Sequence, residues 1–284
     1  HITLLPVLDD EGEQLLPERH IHYDQLVLAV GSVSNDFQTP GVADNCYFLD
    51  SLKQAERFHG ALLNQLIRIN QQDDDSSRIN VAIVGAGATG TELAAQLHHV
   101  ANLSKAYGMP GMSASRLKIT IVEAGERILP ALPERIANSA RKALHKLGVD
   151  IKENTMVAEA DKHGLITKGG GRIDADLMVW AAGVKAPDFI VNMNIFEVNR
   201  ANQILVDKQL RSTTFDNIWA LGDCCGFKQK MGNGFRLARN LPIKWQTRSP
   251  ITLRRYSTGS LLRLIPIKIT VRWCISANTA PLGV

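Results

Sequence analysis

The sequence has no apolar run long enough to cross a membrane. Its 284 residues are 45% hydrophobic and 21% charged, proportions typical of a globular protein with one large or two modest domains. No segment approaches the roughly 20 consecutive apolar residues of a spanning helix. The N-terminus, His1-Ile2-Thr3, has neither an initiator Met nor a signal-peptide pattern. We therefore expect the chain to be a truncated part of a longer protein.

Cysteine is scarce, and its pattern gives no sign of a redox or metal centre. The four cysteines are Cys46, Cys224, Cys225 and Cys274, and none has the Cys-x-x-Cys or other spacing of a metal site. The adjacent Cys224 and Cys225 could form a strained vicinal disulfide. Their interpretation as small residues packed under a loop is favoured.

Other clusters of metal-ligating residues are also incomplete, so no metal is predicted. His20 and His22 share one face of a predicted strand, and His98 and His99 lie near a helix end. Neither pair has a third ligand at a workable spacing. The run Asp73–Asp75 lacks the glycine and final Glu of an EF-hand, and we interpret it as part of a solvated linker over 71–77.

Acidic residues are absent from the last fifty positions. All 28 Asp and Glu precede residue 235, whereas residues 235–284 contain nine Lys and Arg. Such a tail is typical of a nucleic-acid-binding arm or a membrane-surface segment. A third explanation is that this segment differs in origin from the rest of the chain. Its basic residues do not share one face, and the prolines interrupt any long amphipathic helix. The third explanation is therefore favoured, and no nucleic-acid partner is predicted.

The apolar pattern predicts an α/β fold with a parallel sheet. Strands are predicted at 1–8, 19–23, 26–30, 79–84, 117–122, 176–181, 203–211 and 218–222, and antiparallel strands at 149–160 and 164–168. Helices are predicted at 50–70, from Thr91 to 100, and at 133–147. The apolar strand at 79–84 indicates a strand buried on both faces.

The segment that follows this strand carries a dinucleotide-binding fingerprint. Gly85, Gly87 and Gly90 form a Gly-x-Gly-x-x-Gly turn between the strand and a helix. The first glycine permits the tight turn, the second lets a pyrophosphate approach the backbone, and the third lets the helix pack against the strand. The helix N-terminus adds free N–H groups and a positive dipole end. The alternative is a tight turn that binds nothing.

An acid closes the second strand, as this interpretation requires. Glu123 would accept hydrogen bonds from the adenosine ribose and repel a 2′-phosphate, which predicts NAD(H) over NADP(H). An insertion at 101–116 lengthens the interval from Gly90 beyond the usual ~20 residues. Arg127 could admit a phosphate, so NADPH is the alternative, and an exposed strand-end Glu without a ligand is another.

The motifs in this order resemble the two-dinucleotide flavoprotein reductases. Two strands end in Ala-x-Gly, at 26–31 and at 178–183, where the second closes on Gly183. A later strand ends in Gly222-Asp223 and resembles the second flavin motif. The resemblance implies a Rossmann-like NAD domain inserted in an incomplete FAD domain. The aspartate would contact the ribityl or pyrophosphate part of FAD.

Within that superfamily, residues 179–186 and 220–224 look most like type II NADH dehydrogenases. The resemblance covers residues 1–234 and implies hydride transfer from NADH to FAD, then electron delivery to a quinone of the respiratory chain. It implies a peripheral position on the cytoplasmic face of the membrane. Glu92 matches an acid near the family's nicotinamide–flavin contact; the alternative is a first-turn acid favoured by the helix dipole. The absence of a Cys-x4-Cys pair argues against disulfide reductases.

The resemblance also divides the chain. It implies a partial FAD domain at 1–77, an NAD(H) domain at 78–184, a return to the FAD domain at 185–234 and an unrelated tail at 235–284. The first flavin Gly-x-Gly-x-x-Gly is expected upstream of His1, so we expect this chain to hold FAD weakly. Alternatives are a non-catalytic remnant that keeps at most NAD binding, or another reductase of the superfamily, such as a ferredoxin or rubredoxin reductase.

The genetic code suggests an origin for the tail. Codons for residues 235–246 can be chosen so that a reading one base earlier gives V-P-P-R-A-Q-S-A-H-Q-M-A, which resembles the family's quinone-side motif. The same phase permits Y-K-D-H-G-S-L-V near residue 270. We therefore expect a frameshift after Gly234, which would leave the quinone-side residues and the membrane-docking helices unencoded.

Overall fold

A computed structural model describes residues 1–9, 11–71, 77–104, 108–109 and 114–227. Most of the predicted linker at 71–77, including Asp73–Asp75, lies outside these residues, as does part of the insertion at 101–116. The basic tail at 235–284, with Cys274, lies wholly outside them.

The described residues form strands and α-helices, and the two kinds of element alternate between Ile79 and Lys152. The strands are β1 (Ile2–Leu4), β2 (Val7–Leu8), β3 (Gln14–Leu16), β4 (Arg19–Ile21), β5 (Leu26–Leu28), β6 (Val33–Ser34), β7 (Ile79–Val84), β8 (Leu117–Val122), β9 (Asp150–Lys152), β10 (Val157–Asp161), β11 (Gly164–Thr167), β12 (Arg172–Asp174), β13 (Leu177–Trp180), β14 (Val184–Lys185), β15 (Ile204–Val206), β16 (Ile218–Ala220) and β17 (Cys225–Phe227). The helices are α1 (Val42–Asn45), α2 (Leu52–Asn70), α3 (Ala88–Ser104), α4 (Glu134–Lys146) and α5 (Asp188–Asn192). Nowhere in the described ranges is a helix both long and apolar enough to traverse a bilayer.

A four-stranded parallel sheet forms the centre of the fold, in the order β13-β7-β8-β9. β7 and β8 pair along their full length, from Ile79 opposite Leu117 to Val84 opposite Val122. Both strands have the predicted bounds. Five of the six residues of β7 are buried, because other layers cover both faces of the sheet. This double burial explains the uninterrupted apolar sequence of the strand.

Helices cover one face of this sheet. Leu66 of α2 and Leu97 of α3 share a core with Ile83 and Ile121 of the sheet. The side chain of Ser51 accepts a hydrogen bond from the Gln54 N–H and caps α2. α2 therefore packs with the sheet although it precedes residue 78, where the sequence places the start of the NAD domain.

An antiparallel sheet, β10-β11-β12, covers the other face. Leu165 of β11 packs in one core with Met178 and Trp180 of β13. The prediction of antiparallel pairing from residue 149 was wrong for β9, which pairs in parallel with β8. β9 is an edge strand with outer residues exposed, so it shows the same alternation as an antiparallel strand. We call residues 47–180 the central lobe.

The segments on either side of the central lobe, residues 1–34 and 184–227, are called the flanking segments. Their strands are two or three residues long and pair two by two: β1 with β4, β2 with β3, β15 with β17 and β16 with β5. A small core contains Ile190, Ile204, Val206 and Ala220. Several apolar side chains are exposed, with Leu5 74% exposed.

Two adjacent strands connect the flanking segments to the central lobe. β6 and β14 pair antiparallel, with Val33 opposite Lys185 and Ser34 opposite Val184. Next to this ribbon, the indole Nε1 of Trp180 donates a hydrogen bond of 2.8 Å to the backbone oxygen of Asn35. The chain therefore passes between the two regions at neighbouring points.

Candidate functional site

The glycine turn after β7 is closely packed at its first and third glycines. Gly85 has a φ of 101°, and a Cβ there would lie 2.7 Å from the backbone oxygen of Ala181. A Cβ on Gly90 would lie 1.9 Å from the backbone oxygen of Gly85. Both positions therefore require glycine for conformation or packing, whether or not a ligand binds.

The second glycine has a different environment. No heavy atom lies within 4 Å of a Cβ built on Gly87, so protein packing gives no reason for a glycine here. α3 begins at Ala88, three residues before the predicted start at Thr91. Within the part of the chain that the structure describes, the N–H groups of Gly87 and Ala88 donate no hydrogen bond to the protein. The open space and these donors fit an anionic pyrophosphate.

Glu123 lies directly beside this turn. Its Oε2 accepts a hydrogen bond of 2.7 Å from the Ala86 N–H, and its Oε1 accepts one of 2.7 Å from the Gly125 N–H. The Gly85 N–H in turn donates to the backbone oxygen of Val122. The carboxylate is thus fixed at the carboxyl ends of β7 and β8, where ligands of doubly wound sheets bind.

The loop after Glu123 is held by a residue that sequence analysis missed. Glu153 accepts a hydrogen bond of 2.8 Å from the Ile128 N–H and forms an ion pair with Arg141. Arg127 donates from Nη2 to the backbone oxygens of Pro130 and Leu132, each at 3.0 Å. No local pattern distinguishes Glu153 from a surface acid, because its partners lie 12 and 25 residues away.

The chain leaves the central lobe for the second flanking segment at residues 181–183, which we call the second crossing. It lies on the opposite side of β7 from Glu123. β13 ends at Trp180, and Gly183 follows with a φ of 76°. A Cβ on this glycine would lie 2.6 Å from Cζ of Phe37, so a side chain there would displace the ring, and the positive φ by itself favours glycine. Glu92 lies in the first turns of α3, exposed to solvent, and its carboxylate has no hydrogen bond or ion pair with a described residue.

A second pair of strand ends meets in the flanking segments. β5 and β16 are parallel, and each is followed by a glycine of positive φ, 69° at Gly31 and 74° at Gly222. The residues after these glycines are hydrogen-bonded to each other: Ser32 Oγ donates to Asp223 Oδ2 at 2.9 Å. A Cβ on Gly222 would meet no atom within 4 Å. The exposed Asp223 therefore faces open space beside a glycine that packing does not require.

The cysteines in the described residues are free thiols. Cys224 is buried. The partial burial of the neighbouring Cys225 raises the pKa of its own thiol to about 11. Burial also raises the pKa of Cys46 to about 12. Cys46 and Cys225 therefore stay protonated near neutral pH, which agrees with packing residues rather than nucleophiles. Among the described residues, no group of three or more potential ligands could hold a metal ion.

These elements define an α/β protein with the fold of the FAD- and NAD-binding reductases. The family model of the pyridine nucleotide-disulphide oxidoreductases matches residues 7–245, and the chain belongs to this family. The predicted fold class and superfamily are thereby confirmed.

Curated relatives are similar over most of the chain. A type II NADH:quinone oxidoreductase of Haemophilus influenzae is 45% identical over 246 residues, covering 82% of this chain and 55% of the relative. The external alternative NAD(P)H-ubiquinone oxidoreductase B2 of Arabidopsis thaliana mitochondria is 31% identical over 223 residues, covering 75% and 38%. The chain thus spans about half the length of the first relative, or less of the second.

Solved structures are similar to this chain in fold. NDH2 of Plasmodium falciparum in complex with NADH superimposes with a TM-score of 0.66 at 25% identity, covering 79% of this chain and 47% of that one. A ferredoxin reductase of Rhodopseudomonas palustris has a TM-score of 0.57 at 22% identity, over 80% of this chain and 51% of its own, and shows the shared fold alone.

Proposed function

We propose that this chain is part of an FAD-dependent NADH:quinone oxidoreductase of the type II class. The observation that carries the proposal is the glycine turn whose backbone is hydrogen-bonded to Glu123, with unpaired N–H groups at the start of α3. The similarity to the type II enzyme of Haemophilus influenzae supports the choice of NADH and quinone.

The central lobe would bind NADH along the carboxyl ends of its strands. The pyrophosphate would lie against Gly87, between the loop and the helix N-terminus, with Gly85 and Gly90 shaping the turn. Glu123 would accept hydrogen bonds from the adenosine ribose and disfavour a 2′-phosphate. The Arg127 Nη2 is engaged by two carbonyl oxygens, whereas its buried Nη1 has no hydrogen-bond partner among the described residues, so NADPH stays the alternative ligand.

The flanking segments provide groups that fit FAD. When bound, FAD supplies the acceptor for the hydride and the carrier that passes electrons to a quinone. Asp223 would accept hydrogen bonds from a ribityl hydroxyl, and the open space at Gly222 would let a cofactor approach the backbone. Gly183 would shape the second crossing beside the nicotinamide. Glu92 would line the same end of the site and hold the nicotinamide ring against the flavin of FAD.

The remaining parts of the proposal follow the relatives. Their names specify quinone and ubiquinone acceptors, which supports a quinone as the electron acceptor. We further propose, from the family resemblance alone, a respiratory-chain quinone and a peripheral position on the cytoplasmic side of a membrane. We further propose the domain division at residues 77, 184 and 234 and the change of reading frame after Gly234. The gene sequence tests the latter, because codons that cannot encode V-P-P-R-A-Q in the shifted frame would exclude it.

The function is tested with the purified full chain. We expect NADH to bind, measured by the change in its fluorescence, and NADPH to bind at least about tenfold more weakly. Added FAD, followed by its absorbance, should bind weakly, and NADH oxidation with a soluble quinone should require it. A chain that binds NADH but neither FAD nor quinone is the non-catalytic remnant. A chain that binds no NADH contradicts the proposal.

A further inference from the structure

The turn over residues 35–39 is held in an unusual backbone conformation. Phe37 and Gln38 have φ values of 53° and 55°, in the left-handed region that non-glycine residues rarely adopt. The side chain of Asn35 accepts a hydrogen bond from the Phe37 N–H at 2.9 Å. That of Asp36 accepts one from the Gln38 N–H at 3.1 Å. Local hydrogen bonds therefore impose two consecutive unfavourable conformations.

The turn is also fixed to the second crossing. The Asn35 N–H donates to the backbone oxygen of Gly183 at 3.3 Å, and its carbonyl accepts from the indole of Trp180. The ring of Phe37 then touches Gly183 while 55% of the residue stays exposed. An apolar ring kept in solvent at such a conformational cost indicates a binding role, because strain of this kind concentrates at functional sites.

A dinucleotide bound at the glycine turn would extend toward residues 35–39, so that its nicotinamide ring lies near this turn. In the proposed binding mode its adenosine would lie over the end of β8, at Glu123, and its pyrophosphate over the glycine turn at the end of β7. The sheet order is β13-β7-β8-β9, so the other half of the dinucleotide extends over the end of β13. There a Cβ on Gly85 would lie 2.8 Å from Cα of Ala182, and the next residue is the glycine under Phe37.

We propose that Phe37 is a binding residue for the nicotinamide ring of NADH. The inference rests on the proposed function, since it assumes that the central lobe binds NADH. The exposed ring offers a flat apolar surface to a flat ring, the arrangement in which aromatic rings stack. The Phe37 ring occupies the space that a side chain on Gly183 would enter, and the strained turn keeps the ring in place before the ligand arrives.

The test compares two ligands that differ by the nicotinamide. NADH and ADP-ribose share the adenosine and the pyrophosphate, and ADP-ribose lacks the nicotinamide ring. Phe37→Ala should raise the Kd for NADH by about tenfold and change the Kd for ADP-ribose by less than about twofold. Phe37→Tyr, which keeps an aromatic ring, should leave the Kd for NADH close to that of the unaltered chain. Phe189→Ala, which removes a phenylalanine of similar exposure from α5, should alter neither Kd.

Each outcome separates this inference from the proposed function. If the unaltered chain binds neither ligand, the proposed NADH site is wrong and the inference is lost with it. If it binds both and Phe37→Ala weakens both equally, the residue supports the shape of the loop and the inference alone is overturned. The same holds if Phe37→Ala changes neither Kd. A thermal melt of each variant checks that the fold persists.

Discussion

The central lobe and the flanking segments are built from the same kinds of residues but bury them differently. In the lobe, a continuous parallel sheet lies between helices and a second sheet, and its two cores contain most of the buried side chains. In the flanking segments, strands of two or three residues pair two by two around a small core. Among the described residues, the glycine turn at 85–90 therefore follows a strand of the continuous sheet, whereas the glycines of the flanking segments follow short strands paired two by two.

The largest effect should come from truncating a central side chain in each region. Ile121 of the lobe and Ile204 of the flanking segments are both fully buried. Ile121→Ala should lower the free energy of unfolding of the lobe by about 2–5 kcal/mol, because it leaves a cavity in the larger core, and should abolish NADH binding. Ile204→Ala should leave the Kd for NADH unchanged. Loss of NADH binding in Ile204→Ala would show that the regions do not fold independently.

The next effect separates folding from binding within the glycine turn. Gly90→Ala places a Cβ against the Gly85 carbonyl and should cost about 1–3 kcal/mol in a urea titration. Gly87→Ala meets no atom of the protein, so its urea midpoint should be unchanged while its Kd for NADH rises about tenfold. An unchanged Kd would argue against a pyrophosphate at this glycine.

A smaller effect compares Cys46, whose side chain packs in the second core of the lobe, with Cys225 of the flanking segments. Burial raises the pKa of Cys46 from 9.0 to about 12, so the folded state holds its proton more tightly than the unfolded state. Its stabilising contribution is complete below pH 9 and declines as pH rises toward 12, by up to about 1.4 kcal/mol per pH unit. Cys46→Ala should therefore flatten the decline of Tm above pH 9. The less buried Cys225 should be alkylated before Cys46; the reverse order would contradict this comparison.

The smallest effect compares two glycines at which an added Cβ would meet no other atom within 4 Å. Gly60 is inside α2 with open space around it, so Gly60→Ala should stabilise the lobe by about 0.5–1 kcal/mol. Gly12 in the flanking segments also has open space, but its φ is 87°. Gly12→Ala should therefore destabilise by about 1 kcal/mol. Thermal melts measure both, and equal signs would contradict the backbone argument.

Sequence patterns predicted the bounds of β7 and β8 correctly, but not the pairing of β9 or the first residue of α3. The bounds of β7 and β8 were confirmed because strands buried on both faces leave an uninterrupted apolar run. The antiparallel prediction for β9 was wrong because an edge strand shows the same alternation in either direction. The beginning of α3 was placed too late because the glycines of the turn were not counted as helical.

The side-chain contacts of the site lay beyond sequence reasoning for a physical reason. Glu123 was predicted from its place after β8, but its hydrogen bond to the Ala86 N–H depends on how two strand ends meet. The bond between Ser32 and Asp223 joins residues 191 positions apart. Phe37 gave no signal, because its approach to Gly183 brings together residues that are distant in sequence. The predicted cofactor roles of the site residues remain proposals.

The ribbon of β6 and β14 ties together two parts of the chain that are far apart in sequence. Residues 33–34 precede the central lobe and residues 184–185 follow it, and their pairing brings both passages of the chain to one place. A substitution that prevents Val33 from pairing with Lys185 would therefore loosen both connections at once, although it changes only one of them.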